Sequence, residues 1–264
     1  MDASIDMQKP TSLTITAFES QINAKMTDII SHCYEALKSL MEPHDASGHG
    51  LAHCLRVYKN AKKALEFTRC SEVTPDQYLA VLLAALLHDA DDRKLFTSQG
   101  NENASFILGG ANLFTDLYVP FLVLKMIDLV SCSTNGNSVS VSVPTWMYIP
   151  RDSDRLEAIG EIGILRAYQY TVSVGRPLAT PETQRARTEE ELARIATTER
   201  FQQYLRVKES VSLIDHFYDK IMHIDEMATD NMWLVAQASI RRQAAVDFLL
   251  EFGKTGKMMV NVNA

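Results

Sequence analysis

The chain has 264 residues, 46% of them hydrophobic and 22% charged, with a formal net charge of −7. These are the proportions of an ordinary globular protein, and no apolar run approaches the roughly 18–20 residues that a membrane span needs. The acidic balance argues against a general nucleic-acid binder, which needs a basic surface to release counterions, but leaves room for a local basic pocket that takes a small phosphorylated ligand. The N-terminus lacks a basic n-region followed by an apolar h-region, so no secretory signal is expected. Cys33, Cys54, Cys70 and Cys132 show no CxxC spacing and read as reduced thiols of a cytoplasmic protein.

In chain order, residues 1–12 are polar and read as a disordered tail. Residues 13–41 place Phe18, Ile22, Met26, Ile29 and Ile30 on one stripe and predict a long amphipathic helix. Pro43 ends it, and His44 to Gly50 reads as a loop. A second helix is expected over about 51–67, and a third from Pro75, well placed in a first turn, to about Leu87. Two more fit 101–113 and 117–132. Between 133 and 150 the pattern breaks. Asn135-Gly136-Asn137 is a turn signal, and Val139, Val141 and Val143 alternate with serine, which predicts a short β-hairpin or an extended excursion.

Helix returns over 152–171, where Gly160, Gly163 and Ala167 form a small-residue face that would admit another helix. Residues 172–197 contain Gly175-Arg176-Pro177, Pro181 and the acidic run Glu189–Glu191, and read as a surface excursion with a helical turn. Two last helices are expected, at about 198–226 and about 229–252, the second with Met232, Val235, Ile240 and Phe248 inward. A frayed tail over 253–264 completes the chain. With no internal repeat and no linker-like break, the expected fold class is all-α, a single helical domain over 13–252.

The chemistry concentrates where the apolar helix VLLAALLHDADD (81–92) ends in His88-Asp89. A buried helix should not finish in polar side chains unless something compensates them. A divalent metal would do so, and His53 and Asp154, in other predicted helices, add ligands of suitable type. His49 lies four residues before His53, on the same helical face. Two imidazoles and two carboxylates suit Mn²⁺, Mg²⁺, Ni²⁺, Co²⁺ or Fe²⁺ better than a thiolate-preferring ion. Singly, each residue has a bland reading. His88 could cap a helix C-terminus, His53 could be a core histidine, and Asp154 could complement a helix dipole, for which Asp152 is the better candidate.

His53…His88-Asp89…Asp154 resembles the signature of the HD-domain metal-dependent phosphohydrolases. HGLAHCLRVYKNA (49–61), AALLHDADDRKLF (84–96), RDSDRLEAIGEIGILRAYQYTVSVGRPL (151–178) and DHFYDKI (215–221) together resemble the bacterial subgroup that includes nucleotide pyrophosphatases, over about 44–252. The resemblance implies an HD-type helical bundle and one divalent metal, Mn²⁺ favoured, held by His53, His88, Asp89 and Asp154. It also implies catalytic roles for Asp92, as the base that takes a water proton, and for His49. Lys94, Arg56, Arg176 and Glu102 are the candidate substrate contacts. The implied activity is hydrolysis of a nucleoside triphosphate to monophosphate and pyrophosphate by a metal-activated water. The alternatives are a nucleoside monophosphate phosphatase and a non-catalytic nucleotide-binding sensor. Gly50 stands where many members have Asp after the first His, and Arg93 where an aromatic residue often follows Asp92. No histidine lies between His88 and Asp154, whereas members with two metals carry extra histidines there, so one metal and hydrolysis are expected. The implied partners are a small nucleotide or phosphoester, with neither nucleic acid nor membrane; a homodimer is left open.

Overall fold

The computed structural model describes residues 24–43, 50–68 and 72–258. The expected 1–12 tail, the first part of the 13–41 helix and most of the 44–50 loop lie outside these residues. Among them the elements are α-helices and short 3-10 turns, with no strand. Among the described residues no helix is long and apolar enough to cross a membrane.

The hub is the helix Pro75–Leu87, numbered α3 after α1 (Ala24–Met41) and α2 (Leu51–Leu65). Thr74 and Gln77 form a reciprocal capping box at its start, with Pro75 in the first turn. Every residue from Tyr78 to Leu87 is buried, as expected of a helix that is apolar all round. It packs against α1 and α2, and against α5 (Tyr118–Val130) and α7 (Ile149–Ala158). Between these lie α4 (Glu102–Gly110) and the single turn α6 (Cys132–Asn135). On α2 the inward stripe is His53, Cys54, Val57, Asn60, Ala61, Ala64 and Leu65, at helical spacing.

Helix α7 inverts the usual pattern, because Arg151, Asp152, Ser153, Arg155 and Glu157 are all buried. Arg151, Asp152 and Arg155 bind backbone from two loops. Arg151 Nη1 donates to the Ser138 carbonyl at 2.7 Å and Arg155 Nη2 to that of Gly136 at 2.5 Å. The Asp152 carboxylate accepts the N–H groups of Ala228 (3.1 Å) and Thr229 (2.8 Å), so it anchors a loop as well as sitting in a first turn.

This also explains why the 133–150 segment forms no hairpin and instead runs through turns from α6 to a 3-10 helix at Thr145–Tyr148. Its carbonyls at 136 and 138 are bound by the arginines of α7, the Ser140 N–H donates to Tyr148 Oη, and the Ser140 hydroxyl accepts the Ser142 N–H. Such side-chain bonds compete with a ladder, and Val141 is fully exposed with no facing strand.

The helix expected at 152–171 is two helices, α7 and α8 (Gly160–Ser173), broken where Ile159 is extended and Gly160 has φ +76°. A Cβ on Gly163 would lie 2.3 Å from the Ala158 carbonyl oxygen, and one on Gly160 would lie 3.0 Å from Arg241 Cβ. The first glycine permits the turn between α7 and α8 and the second the close approach of the last helix. The short α9 (Glu189–Ile195) follows. The span 198–226 also divides, into α10 (Thr198–Val207) and α11 (Leu213–Asp219), because Lys208 takes a left-handed conformation (φ +60°) and Ser212 caps a new start.

The final helix, α12 (Met232–Thr255), buries Leu234, Ala238, Ala245, Val246, Phe248, Leu249 and Phe252. Met232, Val235 and Ile240, expected inward, are exposed. The helix runs past Gly253, where a tail was expected, and ends at Gly256 with φ +70°. Gly253 is there for packing, since a Cβ at this position would meet the Ala186 carbonyl oxygen at 1.7 Å. Gly253→Ala is therefore expected to destabilise the fold by about 2–3 kcal/mol through overpacking. Helix propensity alone would favour alanine by about 0.5–1 kcal/mol. Urea unfolding reads the sign directly.

Candidate metal centre and adjoining cationic pocket

Because α3 touches both α2 and α7, it brings the candidate ligands to one point. His53 comes from the first turn of α2, His88 caps the C-terminus of α3, Asp89 follows it, and Asp154 lies within α7. The two Nε2 atoms face each other at 3.1 Å. His53 Nε2 lies 3.1 Å from Asp154 Oδ1 and 3.5 Å from Asp89 Oδ2, and His88 Nε2 lies 3.5 Å from Asp89 Oδ1 and 3.7 Å from Asp154 Oδ1. The histidine side chains are sealed, while 17% of Asp89 and 28% of Asp154 stay exposed, so the carboxylates face the opening.

These residues fit a divalent ion. Neighbouring ligands of an octahedral ion with bonds of about 2.1 Å stand about 3 Å apart, close to the spacings found. His88 Nδ1 is 3.0 Å from the Ala85 carbonyl oxygen. A carbonyl only accepts, so Nδ1 carries the proton and Nε2 presents a lone pair to the centre. The capping role considered for His88 and the ligand role thus use different ring nitrogens. Burial pushes His53 down to about 4, which leaves it neutral near pH 7. Burial alone would raise the Asp154 carboxyl, but the hydrogen bond from His53 and the neighbouring imidazoles hold it below its ordinary value.

The three aspartates after His88 have separate positions. Asp89 faces the centre. The Asp91 carboxylate accepts the N–H groups of Asn103 (2.9 Å) and Ala104 (3.0 Å), tying the loop to the start of α4. Asp92 closes a turn on the Asp89 carbonyl, and its Oδ1 accepts the Lys94 N–H at 3.0 Å. Glu102, expected near substrate, accepts the Gln99 N–H at 3.3 Å, a contact local to its loop. Arg56, another expected phosphate contact, is committed to Glu157 at 2.5 Å. The same carboxylate accepts from Asn60 at 3.1 Å and pairs with Arg241 at 3.2 Å. His49 lies outside the described residues.

Beside the centre is a cavity of about 150 Å³ lined by Lys94, Arg166, Arg176, Lys208 and Lys220, with Glu209 the one acid in its wall. The two sites are electrostatically continuous: Lys94 feels Asp92 and Asp89, Lys220 feels Asp154, and Arg166 feels His53. Desolvation pulls the Lys94 ammonium below its ordinary value, with Asp92 opposing and Lys220 adding to the shift. His216, read from sequence as a structural or surface residue, also lines the cavity; burial, then Lys220, Arg176 and Lys94, hold it well below the usual histidine value. Sequence reading placed Lys94 and Arg176 near substrate but passed over Arg166, Lys208 and Lys220. Arg166 and Tyr170 sit at i and i+4 on α8, a spacing that signals a shared face. Lys208 and Lys220 carry no such local signal.

No family model matches the sequence. The chain is 36% identical over 230 residues to uncharacterized protein L803 of Acanthamoeba polyphaga mimivirus, covering 82% of this chain and 93% of that one. The crystal structure of an HD-superfamily hydrolase from Bacillus thuringiensis superposes with a TM-score of 0.57 at 21% identity, over 87% of this chain and 97% of that chain. Bacillus subtilis YpgQ in complex with ADP superposes with a TM-score of 0.59 at 18% identity, over 91% and 100%. The chain thus belongs to one family with protein L803 and shares its fold with an HD-superfamily hydrolase.

Proposed function

We propose that the protein is a divalent-metal-dependent phosphohydrolase of nucleotides that splits a nucleoside triphosphate into monophosphate and pyrophosphate. The observation that carries this is the convergence of two histidines and two aspartates beside a cavity walled by lysines and arginines. The ADP held by YpgQ, a protein of the same fold, supports a nucleotide ligand. His53, His88, Asp89 and Asp154 hold the ion, with Mn²⁺ favoured. When bound, that ion supplies Lewis-acid charge and makes water acidic enough to attack near neutral pH. Asp92, one turn after Asp89, takes the proton of the attacking water. Lys94 and Arg176, with Arg166 and Lys220, neutralise the charge that builds on the phosphate oxygens. His49 is assigned to the phosphate or to the leaving oxygen.

Incubation with Mn²⁺ and a panel of nucleotides, followed by chromatography of products, tests the proposal. Pyrophosphate release supports it, inorganic phosphate from monophosphates supports a phosphomonoesterase instead, and no product supports a sensor. Asp92→Ala is expected to retain Mn²⁺ while losing about 10²–10⁴-fold in kcat, the range of general-base contributions. Loss of bound Mn²⁺ from the folded variant would move Asp92 from proton transfer to ligation.

A further inference from the structure

The cationic cavity has properties that the hydrolysis of a nucleotide does not by itself require. Arg176, Lys208 and Lys220 converge on it, and among the described residues none of the three forms an ion pair with a carboxylate. Two of them lie over aromatic rings: Arg176 Cζ is 6.0 Å from the Tyr170 centroid and Lys220 Nζ is 5.7 Å from that of Tyr204. Lys94 Nζ stands 5.1 Å from the Tyr170 centroid as well. A ring face positions a cation while leaving its positive charge unneutralised, so the charge remains available to a ligand. Both tyrosine rings of the cavity wall are already occupied by cations.

Size points the same way. Pockets that enclose drug-sized ligands run to about 300–1,000 Å³, and this cavity is about 150 Å³. That volume suits a short phosphate chain. Lys208 adds a separate observation. It holds φ +60°, a left-handed conformation in which glycine is the easier residue, at the point where α10 ends against the cavity. A lysine kept in that conformation puts a cation where glycine would put none.

We infer that this cavity is a seat for an unbranched chain of two or three phosphates, filled without help from base or sugar, so that inorganic triphosphate is a ligand in its own right. The inference rests on the phosphohydrolase reading only for which phosphorus lies nearest the metal centre. Recognition itself comes from the five cations of the cavity wall.

Calorimetric titration of the full chain with inorganic triphosphate, pyrophosphate and orthophosphate, at matched free Mn²⁺ in cell and syringe, tests it. Triphosphate is expected to bind at least about tenfold more tightly than orthophosphate, and its affinity to fall steeply with added salt. Lys220→Met and Lys208→Gly are each expected to weaken triphosphate several-fold with Mn²⁺ binding unchanged. Lys208→Gly also relaxes the backbone, so its weaker binding cannot come from a failure to fold. Equal weak binding of triphosphate and orthophosphate overturns the inference, as does nucleoside triphosphate binding that inorganic triphosphate fails to displace. Triphosphate binding without any nucleotide hydrolysis leaves this seat standing and removes the proposed activity. Hydrolysis without triphosphate binding does the reverse.

Discussion

Replacing Asp89 with alanine is expected to remove the bound metal and at least about 10³-fold of turnover together, since losing a single transition-state contact already acts on the scale of 10²–10³. Asp89 stands 3.5 Å from both imidazole Nε2 atoms, so its removal leaves the two imidazoles and Asp154 to hold a dication. Asp91→Ala, two residues on, is expected to keep metal and turnover and to cost about 1 kcal/mol of stability, because its carboxylate serves the first N–H groups of α4 as a helix cap does. Equilibrium dialysis against Mn²⁺ and kcat/KM on the same preparations separate the two. Full activity in Asp89→Ala, or a folded Asp91→Ala that has lost its metal, would sink the assignment.

That pair of variants shows where the sequence was informative. The convergence of His53, His88, Asp89 and Asp154 was legible because polar residues at the inward end of an apolar helix need compensation, and only a few side chains elsewhere offer it. Which aspartate of the His88–Asp92 run does what was not legible. Neighbours in a turn have no periodicity, and Asp91 finds its donors on α4, twelve and thirteen residues away. The cationic cavity was half visible. Its lysines and arginines come from the loop after α3, from α8 and from the turns after α8, α10 and α11, so only tertiary packing makes them neighbours.

The fold was legible in the same measure. The all-α class follows from hydrophobic periodicity, and the hub helix from its apolar run and the first-turn Pro75. The break at Ile159-Gly160 was masked because apolar spacing continues across it, and the turn-rich course of 133–150 depends on the buried arginines of α7, thirteen to nineteen residues downstream. On α12 the misplaced residues Met232, Val235 and Ile240 belong to a helix whose apolar residues are spread around its circumference, so periodicity alone chose the wrong stripe.

Glu157→Gln is expected to destabilise the protein by about 3 kcal/mol or more, the cost of breaking a buried charge pair from one side, and to weaken Mn²⁺ binding at least about tenfold. Glu157 is one turn after Asp154 on α7, and its partners Arg56 and Asn60 lie one and two turns after His53 on α2. Arg241 joins them from α12, and it also donates to the Leu156 carbonyl. The network therefore fixes the two ligand-bearing helices against each other directly below the point where His53 and Asp154 stand 3.1 Å apart. Burial by itself would raise the Glu157 carboxyl, but Arg56, Arg241 and Asn60 hold it below its ordinary value. A carboxyl depressed in the folded state contributes stability above its unfolded value, about 4.3, and loses it as pH falls through the folded one. The stability gap between wild type and Glu157→Gln, measured by urea unfolding, should thus be full at pH 7 and close in acid. A gap that persists unchanged at low pH would mean that the glutamate acts through shape alone, and unchanged Mn²⁺ affinity in the folded variant would mean that the two helices keep their register without it.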